Sequence, residues 1–281
     1  MPGNLPFIPF VTNANDVIFL FFVFGRVTGF FAISPLFSNT TIPPMVRVLL
    51  SVFATLLLGM ILYPEYCGDN PKFILKDLFP ETEWRVAQLS IGFMKEMAVG
   101  YLMGFAFTMI FEALVLAGEL VGVMMGFSMA QVLDPMMNVS QGILSQLFVL
   151  VATLIMLTMD LHLAILGLLS DSFVILPMGS YSMPYEMLAD ISQGSARMFN
   201  YGLKFAAIPF VVLFLMTIAL GFMAKVMPEM NVFMVGFPLG IFIGYYSLVA
   251  SIGYFPQILS QAFTEYNNLA RIVLFRISGA S

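Results

Sequence analysis

Long stretches without a single charged side chain constrain this chain more than any other feature of its sequence. Charged residues are absent from residues 27–46, 48–64, 135–159, 205–224 and 230–264. A helix needs about 20 mostly apolar residues to cross the hydrocarbon core of a bilayer, and several of these stretches reach or approach that length. The sequence therefore predicts an all-α, polytopic membrane protein.

The composition supports a membrane protein over a soluble domain. Of 281 residues, 60% are hydrophobic and 10% are charged, whereas soluble domains carry roughly 25% charged residues. A membrane β-barrel would show segments of about 10 residues with alternating polarity, and the apolar runs do not alternate. The net charge of -5 comes from scattered residues. The chain has no basic patch of the kind that binds nucleic acid.

Prolines and polar clusters divide the chain into separate helices, because proline lacks a backbone N–H and clashes with the preceding turn. Residues 142–176 form either a helical hairpin with its turn near 159–161 or one long helix. Residues 64–84 are predicted to be an exposed loop, and 177–196 a second polar connection. We expect helices at about residues 17–33, 45–63, 85–120, 197–227 and 232–252, followed by an amphipathic end at 256–281.

The stretch 118–140 differs from a plain lipid-facing helix. It is rich in methionine and glycine, carries Glu119 and Asp134, and is broken at Pro135. Acids in apolar surroundings are costly and usually face a partner or a water-filled path. Methionine fills irregular gaps and glycine frees the backbone. These features predict a movable, closely packed element beside a pore or cavity.

Glu119 is one of five charges that stand in or beside apolar helices, the others being Arg26, Glu112, Lys204 and Lys225. Glu112 and Glu119 are seven residues apart and share a helix face, which suits a hydrated path or a subunit contact. Arg26 either pairs with one of these acids or with an acid on another subunit, or it extends toward the interface. Lys204 and Lys225 lie near helix ends, where extension toward the interface is favoured.

No residue pattern indicates catalysis, a metal site or a cofactor. His162 is the only histidine and Cys67 the only cysteine, whereas a metal site needs several such ligands. Within one helix His162 and Ser170 would lie about 12 Å apart, too far for a nucleophile and its base. The chain has no phosphate loop and no dinucleotide fingerprint. We therefore expect no enzyme activity.

Short motifs are spread over nearly the whole chain. They are Arg26, PLF at 35–37, IPPMVR at 42–47, AGELVG at 117–122, MGFS at 125–128, DP at 134–135, His162, DSF at 171–173, LPMG at 176–179, PEMNVF at 228–233 and GFPL at 236–239. In this order they resemble the FliR/SctT family of type III secretion export-gate proteins. The GFPL motif favours the flagellar branch over the injectisome branch. Leu161, Glu229 and Gly240 depart from the family, which often has glycine, glutamine and lysine there.

The resemblance implies a single export-gate domain over residues 1–281, built of long helical hairpins. A P-like half at about 1–200 is fused to a Q-like half at about 201–281. With P-type and Q-type subunits (FliP and FliQ) it would form the channel through which unfolded proteins cross the bacterial inner membrane, within the flagellar basal body. FlhB-type and FlhA-type proteins are further implied partners. Many apolar helices would be raised toward the periplasmic side in the assembled complex.

The resemblance also assigns functional residues. The family's plug loop maps onto about residues 122–138, where methionines would form a deformable seal against ions. Glu119, Asp134 and Arg26 would hold this loop shut or fix it to its neighbours. The plug residues are Met124, Met125, Gly126, Phe127, Met129, Asp134, Pro135, Met136 and Met137. Residues of the family motif expected at an interface are Pro228, Asn231, Phe233 and Pro238.

One other class of function fits the same residues. A self-contained secondary transporter also has intramembrane acids and broken helices. It predicts saturable uptake of a small solute by the purified chain alone. The export-gate hypothesis instead predicts that the chain co-purifies with P-type and Q-type subunits.

Overall fold

The fold is known from a computed structural model, which describes residues 14–35, 43–66, 85–127, 142–179, 185–229 and 232–279. Within these ranges the regular structure is helical, and no strand is present. The prediction of an all-α protein is confirmed. In chain order the helices are α1 (Ala14–Ile33), α2 (Pro44–Tyr66), α3 (Arg85–Met125), α4 (Ile143–Thr158), α5 (Leu161–Ile175), α6 (Glu186–Val226), α7 (Val232–Ser251) and α8 (Phe255–Ser278), with a 3₁₀ turn at Ile252–Tyr254 before α8.

The helix boundaries agree with the predictions at most positions. The helix expected at 85–120 is one continuous element of 41 residues that runs on to Met125. The connection between α4 and α5 lies at Met159 and Asp160, where the positive φ of 55° at Asp160 interrupts the helix. The alternative of one long helix over 142–176 is therefore wrong. Residues 67–84 of the predicted loop lie outside the described ranges.

The predicted polar connection at 177–196 is wrong over its second half. Helix α6 begins at Glu186, eleven residues before the expected start at Arg197. Polar residues do not prevent a helix when its other face is packed. Here Asp190 is buried and pairs with Arg276 of α8, which holds the first turns of α6 in place. Tertiary contact thus extends this helix beyond its apolar stretch.

Five described helical segments are long and apolar enough to cross a membrane, and a sixth is possible if α4 and α5 together form one broken span. Two of these segments, Pro44–Tyr63 and Glu186–Val226, are only 22% buried within the chain. Their exposed apolar faces need lipid or another protein as a neighbour. The chain is therefore a multi-pass helical membrane protein.

The chain divides into two compact units, each drawn from several segments. The first comprises Met1–Thr108, Leu163–Ile191 and Asn267–Ser281. The second comprises Met109–His162 and Ser192–Tyr266. The expected division into a P-like and a Q-like half stays a prediction.

In the first unit, glycines spaced four residues apart bring α1 and α3 into backbone contact. These are Gly25 and Gly29 on α1 and Gly100 and Gly104 on α3. A methyl group added at Gly100 would overlap the carbonyl oxygen of Arg26. Small residues at this spacing let membrane helices approach closely, which is a main source of their association. The first unit is therefore built on a glycine-lined pair of helices.

In the second unit, aromatic side chains join α8 to α4 and α6. The ring of Phe255 lies 5.2 Å from the ring of Phe148 and 5.4 Å from the ring of Phe205, between centroids. Such tilted and edge-to-face pairs are favoured by the ring quadrupoles. The buried hydroxyl of Tyr266 donates a 2.8 Å hydrogen bond to the Gly194 carbonyl. This buried polar group is therefore satisfied within the core.

Replacement of Gly100 by alanine should destabilise the first unit, because the added methyl group overlaps backbone atoms of α1. Overpacking of this kind costs about 1–3 kcal/mol. Gly167→Ala is the matched control, since nothing lies within 4 Å of the site on α5. Thermal unfolding of the purified proteins in detergent should show a lower melting temperature for Gly100→Ala alone. Equal melting temperatures would mean that α1 and α3 are not in close contact.

Candidate functional site

The carboxylate of Glu119, near the end of α3, binds the beginning of α4. Its Oε1 atom accepts a 2.8 Å hydrogen bond from the Gly142 backbone N–H. The Ser145 hydroxyl lies 2.9 Å from the same oxygen and 3.1 Å from the Val115 carbonyl, and can donate to either. A carboxylate at a helix N-terminus also interacts favourably with the helix dipole. Glu119 thus caps α4 from a neighbouring helix.

Gly118 allows this contact to form. A methyl group at Gly118 would overlap backbone atoms of Leu144 and Ser145, so any larger residue would push α4 away from α3. Ser145 is fully buried at the contact. We refer to Gly118, Glu119, Gly142 and Ser145 as the loop base, because they join the two helices that flank residues 126–141.

At Gly126, just after the end of α3, the backbone conformation and the packing of the chain are both defined. Gly126 has a φ of +87°, a left-handed conformation that favours glycine at helix ends. The preceding Met125 is buried, and its side chain fills the space beside Gly244 on α7. An added methyl group at Gly126 would lie 3.1 Å from the Phe237 ring. The first residues of the predicted plug loop are therefore packed against α7.

The described ranges contain only part of the predicted plug. Met124, Met125, Gly126 and Phe127 are included, and Met124 and Met125 still belong to α3. Met129, Asp134, Pro135, Met136 and Met137 lie outside the described residues. The methionine seal and the role of Asp134 stay predictions.

Arg26 is fully buried in the first unit and forms an ion pair with Glu96 of α3, which is also fully buried. The distance between Nε and Oε2 is 2.7 Å. The other guanidinium nitrogens donate to the carbonyl oxygens of Ser172 and Leu176, at 2.8 and 3.1 Å. The guanidinium also lies 4.3 Å from the centre of the Phe173 ring. Arg26 therefore binds the carbonyls of Ser172 in the last turn of α5 and of Leu176 just after it, while its charge is compensated by Glu96.

The sequence analysis left the partner of Arg26 open and named Glu112 and Glu119 as candidates. The partner is Glu96, 70 residues away in sequence. Because Arg26 is fully buried, its side chain does not extend toward the membrane–water interface. Glu119 has other partners, Gly142 and Ser145. Arg26 and Glu119 therefore belong to separate clusters of contacts.

Five of the remaining candidates lie on the surface of the chain. Glu112, Lys225, Pro228 and Pro238 are exposed. Lys204 is exposed as well, with its ammonium 4.6 Å from the centre of the Tyr201 ring. Phe233 belongs to α7, and Asn231 lies outside the described residues.

Several structural residues were missed by the sequence analysis. Glu96, Ser145 and Gly244 complete the clusters just described. Arg271 and Arg276, which the sequence analysis placed only as the last charges of an amphipathic end, pair with Asp171 and Asp190 in the first unit. A signal for Gly244 was its place in a glycine-rich helix, but nothing in the sequence singles out Glu96. In the described part of the chain, no three His, Cys, Asp or Glu side chains are placed to share a metal ion.

Comparison with known proteins gives one family across the chain. The sequence profile of bacterial export proteins, family 1, matches residues 17–266. Similar curated proteins carry the name flagellar biosynthetic protein FliR. That of Escherichia coli (strain K12) is 28% identical over 249 residues, covering 88% of this chain and 90% of the relative. That of Bacillus subtilis (strain 168) is 29% identical over 245 residues, covering 84% and 88%. That of Pectobacterium carotovorum is 26% identical over 266 residues, covering 95% and 96%.

Loss of the Arg26 charge should strongly destabilise the first unit. Arg26→Gln leaves buried Glu96 without its cation and removes donors from the end of α5, which costs about 3–5 kcal/mol. Glu96→Gln should also destabilise the unit, because buried Arg26 then loses its compensating charge although the amide oxygen can still accept its hydrogen bond. The exposed Lys225→Gln serves as control and should change stability by less than about 0.5 kcal/mol. Thermal unfolding in detergent measures all three. Equal effects of Arg26→Gln and Lys225→Gln would contradict the buried pair.

Proposed function

The chain belongs to the bacterial export proteins of family 1 and is a component of the flagellar type III export apparatus, and on this premise we propose that it helps to form and close the export channel. The channel would be built with P-type and Q-type subunits, and unfolded polypeptides would pass through it across the inner membrane. The observation that carries this proposal is the loop base, where two helices are held together on either side of residues 126–141.

A loop with fixed ends can move at its centre without separating the helices that carry it. The Glu119 carboxylate and the Gly118 contact hold α3 to α4 on one side of the loop. Met125 and Gly126 hold the first residues of the loop against α7. The sequence between these contacts contains Met129, Met136 and Met137. Unbranched, polarisable side chains of this kind can adapt to a passing polypeptide and close behind it.

Exposed apolar side chains support contacts with further subunits. On α2, Met45 is 74% exposed, Phe53 61% and Ile61 68%. Large exposed apolar surfaces of this kind indicate a protein or membrane interface. We assign them to P-type and Q-type neighbours and to FlhB-type and FlhA-type proteins, with many helices raised toward the periplasmic side in the assembled complex. The fused P-like and Q-like halves belong to the same proposal.

The family membership does not favour the alternative of a secondary transporter. If the chain were a self-contained transporter, the purified chain alone would take up a small solute into vesicles. An export component would instead be isolated with its P-type and Q-type neighbours. Absence of those subunits from the purified complex would overturn the proposed channel.

Glu119→Ala should increase the ion conductance of the closed channel several-fold, because α4 loses its cap at the loop base. Glu119→Gln should have a smaller effect, since the amide oxygen can still accept the Gly142 N–H. Glu112→Ala is the matched control, an exposed acid seven residues earlier on the same helix. The conductance of the purified gate complex in planar bilayers is the measurement, with subunit composition checked in parallel.

Two results would contradict this role of the loop base. The first is unchanged conductance of the Glu119→Ala complex with all subunits present. The second is an equal increase for Glu112→Ala and Glu119→Ala, which would indicate a general effect of negative charge on this face of α3.

A further inference from the structure

Helix α7 carries three glycines at four-residue intervals, Gly236, Gly240 and Gly244. In the first unit this spacing brings the backbones of two helices together. On α7 all three glycines have side chains beside them instead. A methyl group added at Gly236 would lie 3.1 Å from the Leu220 side chain, and one at Gly240 would lie 3.5 Å from the Met216 side chain. The glycine face of α7 therefore provides room for side chains of the second unit.

The closest of these contacts is between Gly244 and Met125, the last residue of α3. A methyl group added at Gly244 would lie 2.6 Å from the Cγ atom of Met125 and 2.8 Å from its Sδ and Cε atoms. The Met125 side chain is only 3% exposed. Its unbranched thioether can adapt to an irregular space of this kind. All of the Met125 side chain beyond Cβ thus occupies space that any residue larger than glycine at position 244 would need.

This burial distinguishes Met125 from a methionine that forms a seal. A side chain enclosed beside α7 is not in a position to contact a passing polypeptide. The residue before it, Met124, is half-buried. The residue after it, Gly126, has the left-handed φ of +87° at which the chain leaves α3. Met125 therefore lies at the junction between the helix and the predicted plug loop, with its side chain turned to α7.

We propose that Met125 is a positioning residue of the export channel and not part of its seal. Held beside Gly244, it fixes the place from which the plug loop begins and so sets the closed position of the loop. This role rests on the proposed channel and is distinct from that of Glu119, which joins α3 to α4. Position 244 controls closure at a distance, because a side chain there displaces Met125 and the loop that follows it.

Gly244→Ala should raise the ion conductance of the closed channel several-fold, because the added methyl group overlaps the Met125 side chain. Gly240→Ala is the matched control, one turn earlier on the same face of α7. Its methyl group would lie 3.4 Å or more from its neighbours, which is ordinary contact, so the conductance should stay at the parent value. The conductance of the purified gate complex in planar bilayers is the measurement, with subunit composition and melting temperature checked in parallel.

Truncation from the other side of the contact gives a second test. Met125→Ala empties the space beside Gly244 and should also raise the conductance. Met216→Ala, which truncates the methionine beside Gly240, is its control and should not.

The double variant with Gly244→Ala and Met125→Ala shows whether the two positions act on each other. Without the Met125 side chain the new methyl group has room, so the double variant should conduct less than Gly244→Ala alone. Residues in direct contact show such non-additive effects, whereas the effects of independent residues add. If Gly244→Ala alone impairs assembly of the complex, Met125→Ala should restore it for the same reason.

Three results would overturn the proposal. Conductance equal to the parent's for both Gly244→Ala and Met125→Ala, with all subunits present, would leave the contact a structural role only. An equal increase for Gly240→Ala and Gly244→Ala would mean that any added methyl group on α7 disturbs the channel. Additive effects in the double variant would mean that Gly244 does not act through Met125. All three are observed in a complex that retains its subunits, so none contradicts the channel, which absence of P-type and Q-type subunits from the parent complex would overturn.

Discussion

Glycine residues let helices meet at their backbones in both units of this protein, and the polar contacts of each unit form beside these meeting points. In the first unit Gly100 lies against the Arg26 carbonyl, and in the second unit Gly118 lies against Ser145. Between membrane helices such close approach replaces the hydrophobic effect as a source of association. It also decides which polar side chains can meet. Glu96 is one turn before Gly100, and Glu119 directly follows Gly118, so each acid is brought to its partner by a neighbouring glycine.

The two acids stand in opposite surroundings and serve different purposes. Glu96 is fully buried with Arg26, and a buried pair is retained only where both charges find additional partners. The Ser172 and Leu176 carbonyls provide these for Arg26, so the pair fixes the core of the first unit. Glu119 is exposed and binds a helix N-terminus beside the predicted plug loop. Solvent can replace such a contact at a lower cost than it could replace the buried pair.

Most of the helices could be predicted from the sequence, because charge-free stretches and prolines determine where a helix begins and ends without regard to distant residues. The early start of α6 could not, since it depends on the pairing of Asp190 with Arg276. The partner of Arg26 could not be predicted either, because acids at several positions were available and Glu96 is distant in sequence. The four-residue glycine spacing at Gly100 and Gly104 was a readable signal of the close contact between α1 and α3. The family motifs predicted a plug loop at about residues 122–138, whereas the contacts of Glu119 and Gly118 needed the fold.

In the proposed channel, α3 and α4 stay joined at the loop base while a substrate is exported. A methyl group at Gly122 would lie 3.8 Å from the Leu144 side chain, so Gly122→Cys and Leu144→Cys can be joined by a short reducible crosslinker. Cys67→Ser supplies a background free of the native thiol. Cells that carry the crosslinked protein should export flagellar substrate at the rate of the uncrosslinked variant. Export that stops on crosslinking and resumes after reduction would show that α3 and α4 must separate, and would contradict the proposed channel.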